Sequence, residues 1–223
     1  MNSRKIKKDI LEILAIKEYP EFLDDILKYP HKKALGALFS AINNKNEKVK
    51  WHAVTCFGAL LKILCAEDPE YGRIFIRRLI WMLSDESGGI GWGVPEVMGE
   101  VLSEVDYLAE EFSTILIYQI IDLPGRPDVF LEHKLLRRGG YWAVARFSKN
   151  HPLIVKTYIN DILNAYIKET DPYIQLMGLL IFKLTGFSWP GVKEFLNKNQ
   201  KIRIYWDNKF QEITIKDMAR ELI

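Results

Sequence analysis

A chain of 223 residues, 48% apolar and 27% charged, is long enough to bury a substantial core and too apolar to be disordered. Its formal charge of +2 lacks the basic excess that drives salt-dependent binding to phosphate backbones, so nucleic acid is disfavoured as a partner. Cys56 and Cys65 make neither a CxxC pair nor a secreted disulfide framework, no run is apolar enough to span a bilayer, and the charged N-terminus has no signal-peptide core; a cytoplasmic, soluble protein is expected.

In chain order, Ser3 precedes Ile6, Ile10, Ile13 and Leu14, spaced for an amphipathic helix that Tyr19-Pro20 ends. A short segment over residues 21–28 stops at Tyr29-Pro30. Long helical segments then come in pairs. Residues 31–42 and 47–66 form the first pair, and the second of these helices carries two apolar stripes, one through Phe57, Leu60 and Leu64 and one through Trp51, Val54 and Leu61. Asp68-Pro69 starts the next unit, because an aspartate accepts orphan N–H groups and proline suits the first helical position. Residues 94–105 complete that pair after a glycine-rich break, and 107–121 with 129–148 make another. Within the latter, Gly139-Gly140 fits either a helix start near Gly140 or a close interhelical crossing. Residues 150–168 and 172–185 form the last pair, with Asp171-Pro172 repeating the start signal.

Unit starts near residues 30, 68, 106 and 150 give a period of about 38 to 44, the range of HEAT and armadillo units and longer than tetratricopeptide or ankyrin units. From Lys201 the pattern alternates and favours a β-hairpin with a turn signal at Asp207-Asn208. With Asn208-Lys209 as the loop, Ile204 faces Ile213 and Ile202 faces Ile215. Residues 216–222 close the chain with a helical turn or two. The expected fold is all-α: a HEAT/armadillo-like α-α superhelix (solenoid) over residues 1–200, capped by a small C-terminal β-hairpin and short helix over 201–223.

The least ordinary stretch runs from Ser84 through Glu86, Gly88-Gly89-Ile90-Gly91-Trp92-Gly93 and Pro95 to Glu100. No strand precedes it, no Lys-Ser/Thr follows it, and Glu96 in the first helical turn would repel an anion. A loop that lets helices approach closely is therefore favoured over a phosphate cradle. Glu96, Glu100 and Glu104 recur every four residues as an acidic stripe. Lys134, Arg137, Arg138, Arg146 and Lys149 make a basic helix, with Trp142 four residues from Arg138 and from Arg146. If the two helices are neighbours, Glu96 and Glu100 face Arg137 or Arg138, between Trp92 and Trp142 as apolar walls. Glu86, Trp92, Glu96, Glu100, Arg137, Arg138 and Trp142 are thus the binding candidates, and a Glu–Arg network that only fixes packing is the equal alternative. Four scattered histidines give no metal-ligand spacing, and no nucleophile motif is legible, so no catalytic residue, metal or cofactor is expected.

At Arg77-Arg78-Leu79-Ile80-Trp81, running into the string from Glu86 to Glu96, the chain resembles a group of small prokaryotic HEAT-like repeat proteins that have no assigned activity. The resemblance implies the fold and brings no functional residues with it. Trp92 followed by Glu96, and Arg138 with Trp142, make it distantly similar to the DNA alkylation-repair glycosylases of HEAT-like architecture. The Trp-Asp-x-Val-Asp string of that family is missing here. Three functions follow as expectations: a non-catalytic scaffold that takes a peptide or protein on its concave face, a DNA-base or nucleotide-handling enzyme, or a small-molecule or tetrapyrrole-handling protein.

Overall fold

In a computed structural model, which describes residues 2–84, 91–123 and 129–223, the chain divides into two units, Met1–Leu108 and Ala109–Ile223. The first is built from α1 (Ser3–Ile16), α2 (Glu21–Ile26), α3 (His31–Ala41), α4 (Glu47–Glu67), α5 (Pro69–Leu83) and α6 (Val94–Glu104). The Asn2 side chain caps α1 by accepting the Arg4 N–H, which places the cap one residue before Ser3. Helix α4 packs against α1, α2, α3, α5 and α6, which is why it is apolar on two stripes. By length and composition α4 would suit a membrane, yet most of it is buried by these neighbours. Among the residues it buries is His52, whose Nδ1 lies 3.0 Å from the Leu14 carbonyl and whose ring stacks on Phe22 at 4.1 Å. Burial lowers the pKa of His52.

The Asp68-Pro69 signal operates as its chemistry dictates: the carboxylate accepts the N–H groups of Glu70 and Tyr71, and Pro69 begins α5. Ahead of α6, Gly93 adopts φ +77°, and a Cβ there would stand 2.8 Å from the Ile42 carbonyl oxygen. Only glycine meets both conditions, so α6 can start hard against the end of α3.

Helix α7 (Asp106–Tyr118) runs across the boundary between the units. The second unit contains α8 (Lys134–Asn150), α9 (Pro152–Lys156), α10 (Ile159–Tyr166), α11 (Pro172–Thr185), a 3-10 helix (Pro190–Asn197), β1 (Lys201–Trp206), β2 (Lys209–Thr214) and α12 (Ile215–Arg220). Helix α8 begins after His133, not at Val129, because the His133 ring accepts the Leu135 N–H. It continues unbroken through Gly139-Gly140, where Gly140 lies against Ile120 and Leu131; of the two readings of that pair, close approach is the one observed. The single helix expected over 150–168 is instead α9 and α10. Between them the Thr157 hydroxyl donates to the Ile154 carbonyl and Tyr158 leaves helical geometry at φ −104°, ψ 7°. Helix α11, the centre of the unit's core, packs on α8, α9, α10, α12 and β1.

The hairpin forms, with a different register from the expected one. Asp207 and Asn208 both take positive φ, 51° and 61°, so they make the two-residue primed turn that matches strand twist. Ile202 pairs with Ile213 and Ile204 with Gln211. The offset from the expected pairing is an even number of residues, so the side chains keep their faces. Ile202, Ile204 and Trp206 are buried, and the Trp142 indole N–H on α8 donates to the Tyr205 carbonyl at 2.8 Å. That bond ties the hairpin to α8 within the unit that begins at Ala109. Helices dominate the chain, and this antiparallel pair is its one sheet among the described residues.

Candidate functional site

The acidic stripe on α6 faces inward. Glu96 and Glu100 are only 5% and 7% exposed, and they lie along α4. The Lys50 ammonium donates to Glu96 Oε1 at 2.6 Å, the Glu100 methylene passes over Gly58, and Lys62 reaches Glu104 at 3.2 Å. A Cβ on Gly58 would stand 2.9 Å from Glu100 Cγ, so the glycine makes the notch in which this carboxylate is seated. Trp92 is half-buried just before α6, and Glu86 lies outside the described residues. Burial pushes the Cys56 thiol well up, with the Glu100 charge adding to it, and on the same helix burial pushes Cys65 up.

The basic helix likewise finds its partners inside its own unit. Arg138 grips Asp171 through Nε at 3.0 and 3.1 Å and Nη2 at 2.7 Å, with Lys134 adding a contact at 3.2 Å. Asp171 is also the cap of α11, accepting the N–H groups of Tyr173 and Ile174. Burial alone would raise its carboxyl; Arg138, the Ile174 N–H and Lys134 outweigh that, and it titrates below the usual carboxylate range. Arg137 Nε donates to Glu169 at 2.6 Å. The sequence pattern set Glu96 and Glu100 opposite Arg137 or Arg138. The partners seen are Lys50 for Glu96, Glu169 for Arg137 and Asp171 for Arg138. Trp142, expected as a wall, is 2% exposed, with its ring against Trp206 at 6.2 Å, because the hairpin covers it.

A cavity of about 370 Å³ opens in the second unit beside Arg137. Its inner surface is formed by Ile120, Ile121, Phe130, Ala165 and the Arg137–Glu169 pair, whose side chains are 16% and 13% exposed. Asp122, Asp161, Asn164 and Lys168 stand exposed at its mouth. Arg137 is held on three sides: besides Glu169, its Nη1 donates to the carbonyls of Leu131 at 2.9 Å and Glu132 at 2.7 Å, and the guanidinium lies 5.4 Å from the Phe130 ring centroid. Of these residues the sequence pattern singled out Arg137 alone. Asp161, Asn164, Ala165 and Lys168 share one helical face, a spacing that by itself describes an ordinary solvated surface.

On the first unit, α5 presents a different surface. Ile74 and Trp81 are 58% and 67% exposed and seven residues apart, with Arg77 and Arg78 on the same side. Arg77 pairs with Glu70 at 2.9 Å; Arg78 lies 4.6 Å from the Phe39 ring centroid and has no carboxylate partner among the described residues. Among the described residues no group of three or more His, Cys, Asp or Glu is placed to hold a metal ion.

In class, then, this is a mostly helical chain with a two-stranded antiparallel hairpin near its C-terminus. No family model matches it, and no curated protein does. The crystal structure of an engineered protein is similar to it, with a TM-score of 0.51 and 9% sequence identity, covering 100% of this chain and 95% of that one. At that identity the likeness concerns the fold alone.

Proposed function

We propose that the chain is a non-catalytic HEAT-like repeat protein of the cytoplasm that docks a protein segment. The near-40-residue period, the Asp-Pro starts of α5 and α11, and the stacking of α4 against α6 support the repeat reading. The observation that carries the docking reading is the outer face of α5. A tryptophan two-thirds exposed beside an exposed isoleucine, with arginines between them, has the composition of an interface hot spot. Its charge suits a partner that brings apolar and acidic side chains. Two buried cysteines without a disulfide accord with a reducing compartment.

The test is affinity capture from host extract with the wild-type chain, a Trp81→Ala/Ile74→Ala variant, and Leu153→Ala, which alters an exposed leucine on the second unit. A defined protein partner should be retained by the wild type and by Leu153→Ala, and lost by the α5 variant. Equal capture by all three removes the α5 face from consideration. Nucleic acid that comes down at low salt and leaves on raising it would favour the alternative of a nucleic-acid protein.

A further inference from the structure

The α5 face leaves the second unit's cavity unexplained, and its lining is specific in chemistry. The Arg137 guanidinium is fixed through Nε and Nη1, while its Nη2 group has no partner among the described residues. An arginine already held on three sides loses little freedom on gripping a carboxylate. Lys168 at the mouth also has no ion-pair partner among the described residues, and neither do Asp161 and Asp122. Asp161 and Lys168 are separated by seven residues of the α10 segment, which the Ile167 and Lys168 N–H bonds to Leu163 and Ala165 extend. At helical rise they stand about 10 Å apart along the axis. Asp161 and Lys168 thus set opposite charges at separate points of the lining, which also holds the apolar side chains of Ile120, Ile121, Phe130 and Ala165.

We infer that this cavity binds a short zwitterionic peptide with apolar side chains, its carboxylate directed to Arg137 and Lys168 and its ammonium to Asp161. The volume lies at the small end of ligand sites, about 300 to 1,000 Å³, and suits a few residues rather than a folded partner. The opposite charges of Asp161 and Lys168 disfavour an uncharged apolar ligand, which would leave them desolvated without compensation. The site lies in the second unit and the α5 face in the first, so either reading can fail without the other.

The experiment is calorimetric titration of the full chain with a panel of apolar dipeptides headed by Leu-Phe, each in free, N-acetylated and C-amidated form. The free dipeptide should bind, and each modification should weaken it about tenfold. Lys168→Glu should erase the preference for the free carboxylate over the amide and leave the preference for the free amine. Asp161→Lys should do the reverse. Both side chains are exposed and unpaired among the described residues, and melting curves of the two variants should overlay that of the wild type. Absence of binding across the panel at millimolar concentration overturns the inference. So does equal affinity for the three forms, or a preference that survives both charge reversals.

Discussion

Replacing Gly178 by alanine should destabilise the second unit, although alanine is the better helix former. Gly178 sits in α11, where a Cβ would come within 2.2 Å of Cε2 and 2.3 Å of Cδ2 of Tyr166. That ring cannot step aside: it packs on Phe182 at 5.1 Å, Phe195 at 5.7 Å and Trp189 at 5.8 Å, and its hydroxyl donates to the Gln175 carbonyl at 3.0 Å. Overpacking against so fixed a neighbour costs on the order of 3 kcal/mol. Helix propensity offsets about 1 kcal/mol of this, leaving a net loss of about 2 kcal/mol, or about 4 to 8 °C in Tm for a chain of this size. Urea and thermal unfolding followed by far-UV circular dichroism measure it. The same substitution made in a Tyr166→Leu background should be neutral or mildly stabilising, because only propensity then remains. A stabilising Gly178→Ala in the wild-type background would refute the packing of α10 on α11 described above.

Asp171→Ala removes a cap and a carboxylate shared by Arg138 and Lys134, and should cost about 2 to 3 kcal/mol in chemical denaturation; Asp171→Asn, which keeps an acceptor for the cap, should cost less. Because the folded carboxyl lies below its unfolded value of about 3.9, its contribution is complete above that pH and is lost as pH falls through the folded pKa; Asp171→Asn should flatten that acid limb. For His52 the folded pKa is likewise depressed, so stability is full above the unfolded value of about 6.5 and declines as pH falls from there to the folded pKa; unfolding midpoints of His52→Gln measured between pH 7.5 and 5 should lack that decline. Trp142→Phe deletes the indole N–H that holds Tyr205 and should lose about 1 to 2 kcal/mol, with the near-UV dichroism of the tryptophans altered.

What could be read in advance was local chemistry. Asp68-Pro69 and Asp171-Pro172 mark helix starts because capping involves neighbours in the chain, and Asp207-Asn208 marks a turn because both residues tolerate positive φ. The helix break at Thr157-Tyr158 was not legible, since Ile154, Tyr158, Ile162 and Tyr166 keep four-residue spacing straight through it and no proline or glycine intervenes. The glutamates of α6 were legible as a stripe and not as a buried one. Their surroundings are set by Lys50, Gly58 and Lys62, which lie on another helix some forty residues earlier. The cavity was hidden for the same reason. Arg137 acquires its geometry from Glu169, 32 residues on, and nothing near Arg137 in sequence announces that carboxylate.

The bond from Trp142 to Tyr205 joins positions 63 apart, and it has a consequence for a chain emerging from the ribosome. Synthesis proceeds at roughly 5 to 20 residues per second, so Trp142 appears several seconds before the strand that covers it. Until residue 205 is made, a large indole in the middle of α8 has no roof, and the nascent second unit presents an adhesive aromatic surface. In the first unit the order is reversed for three contacts of the α6 glutamates: Lys50, Gly58 and Lys62 are all made before Glu96, Glu100 and Glu104 emerge.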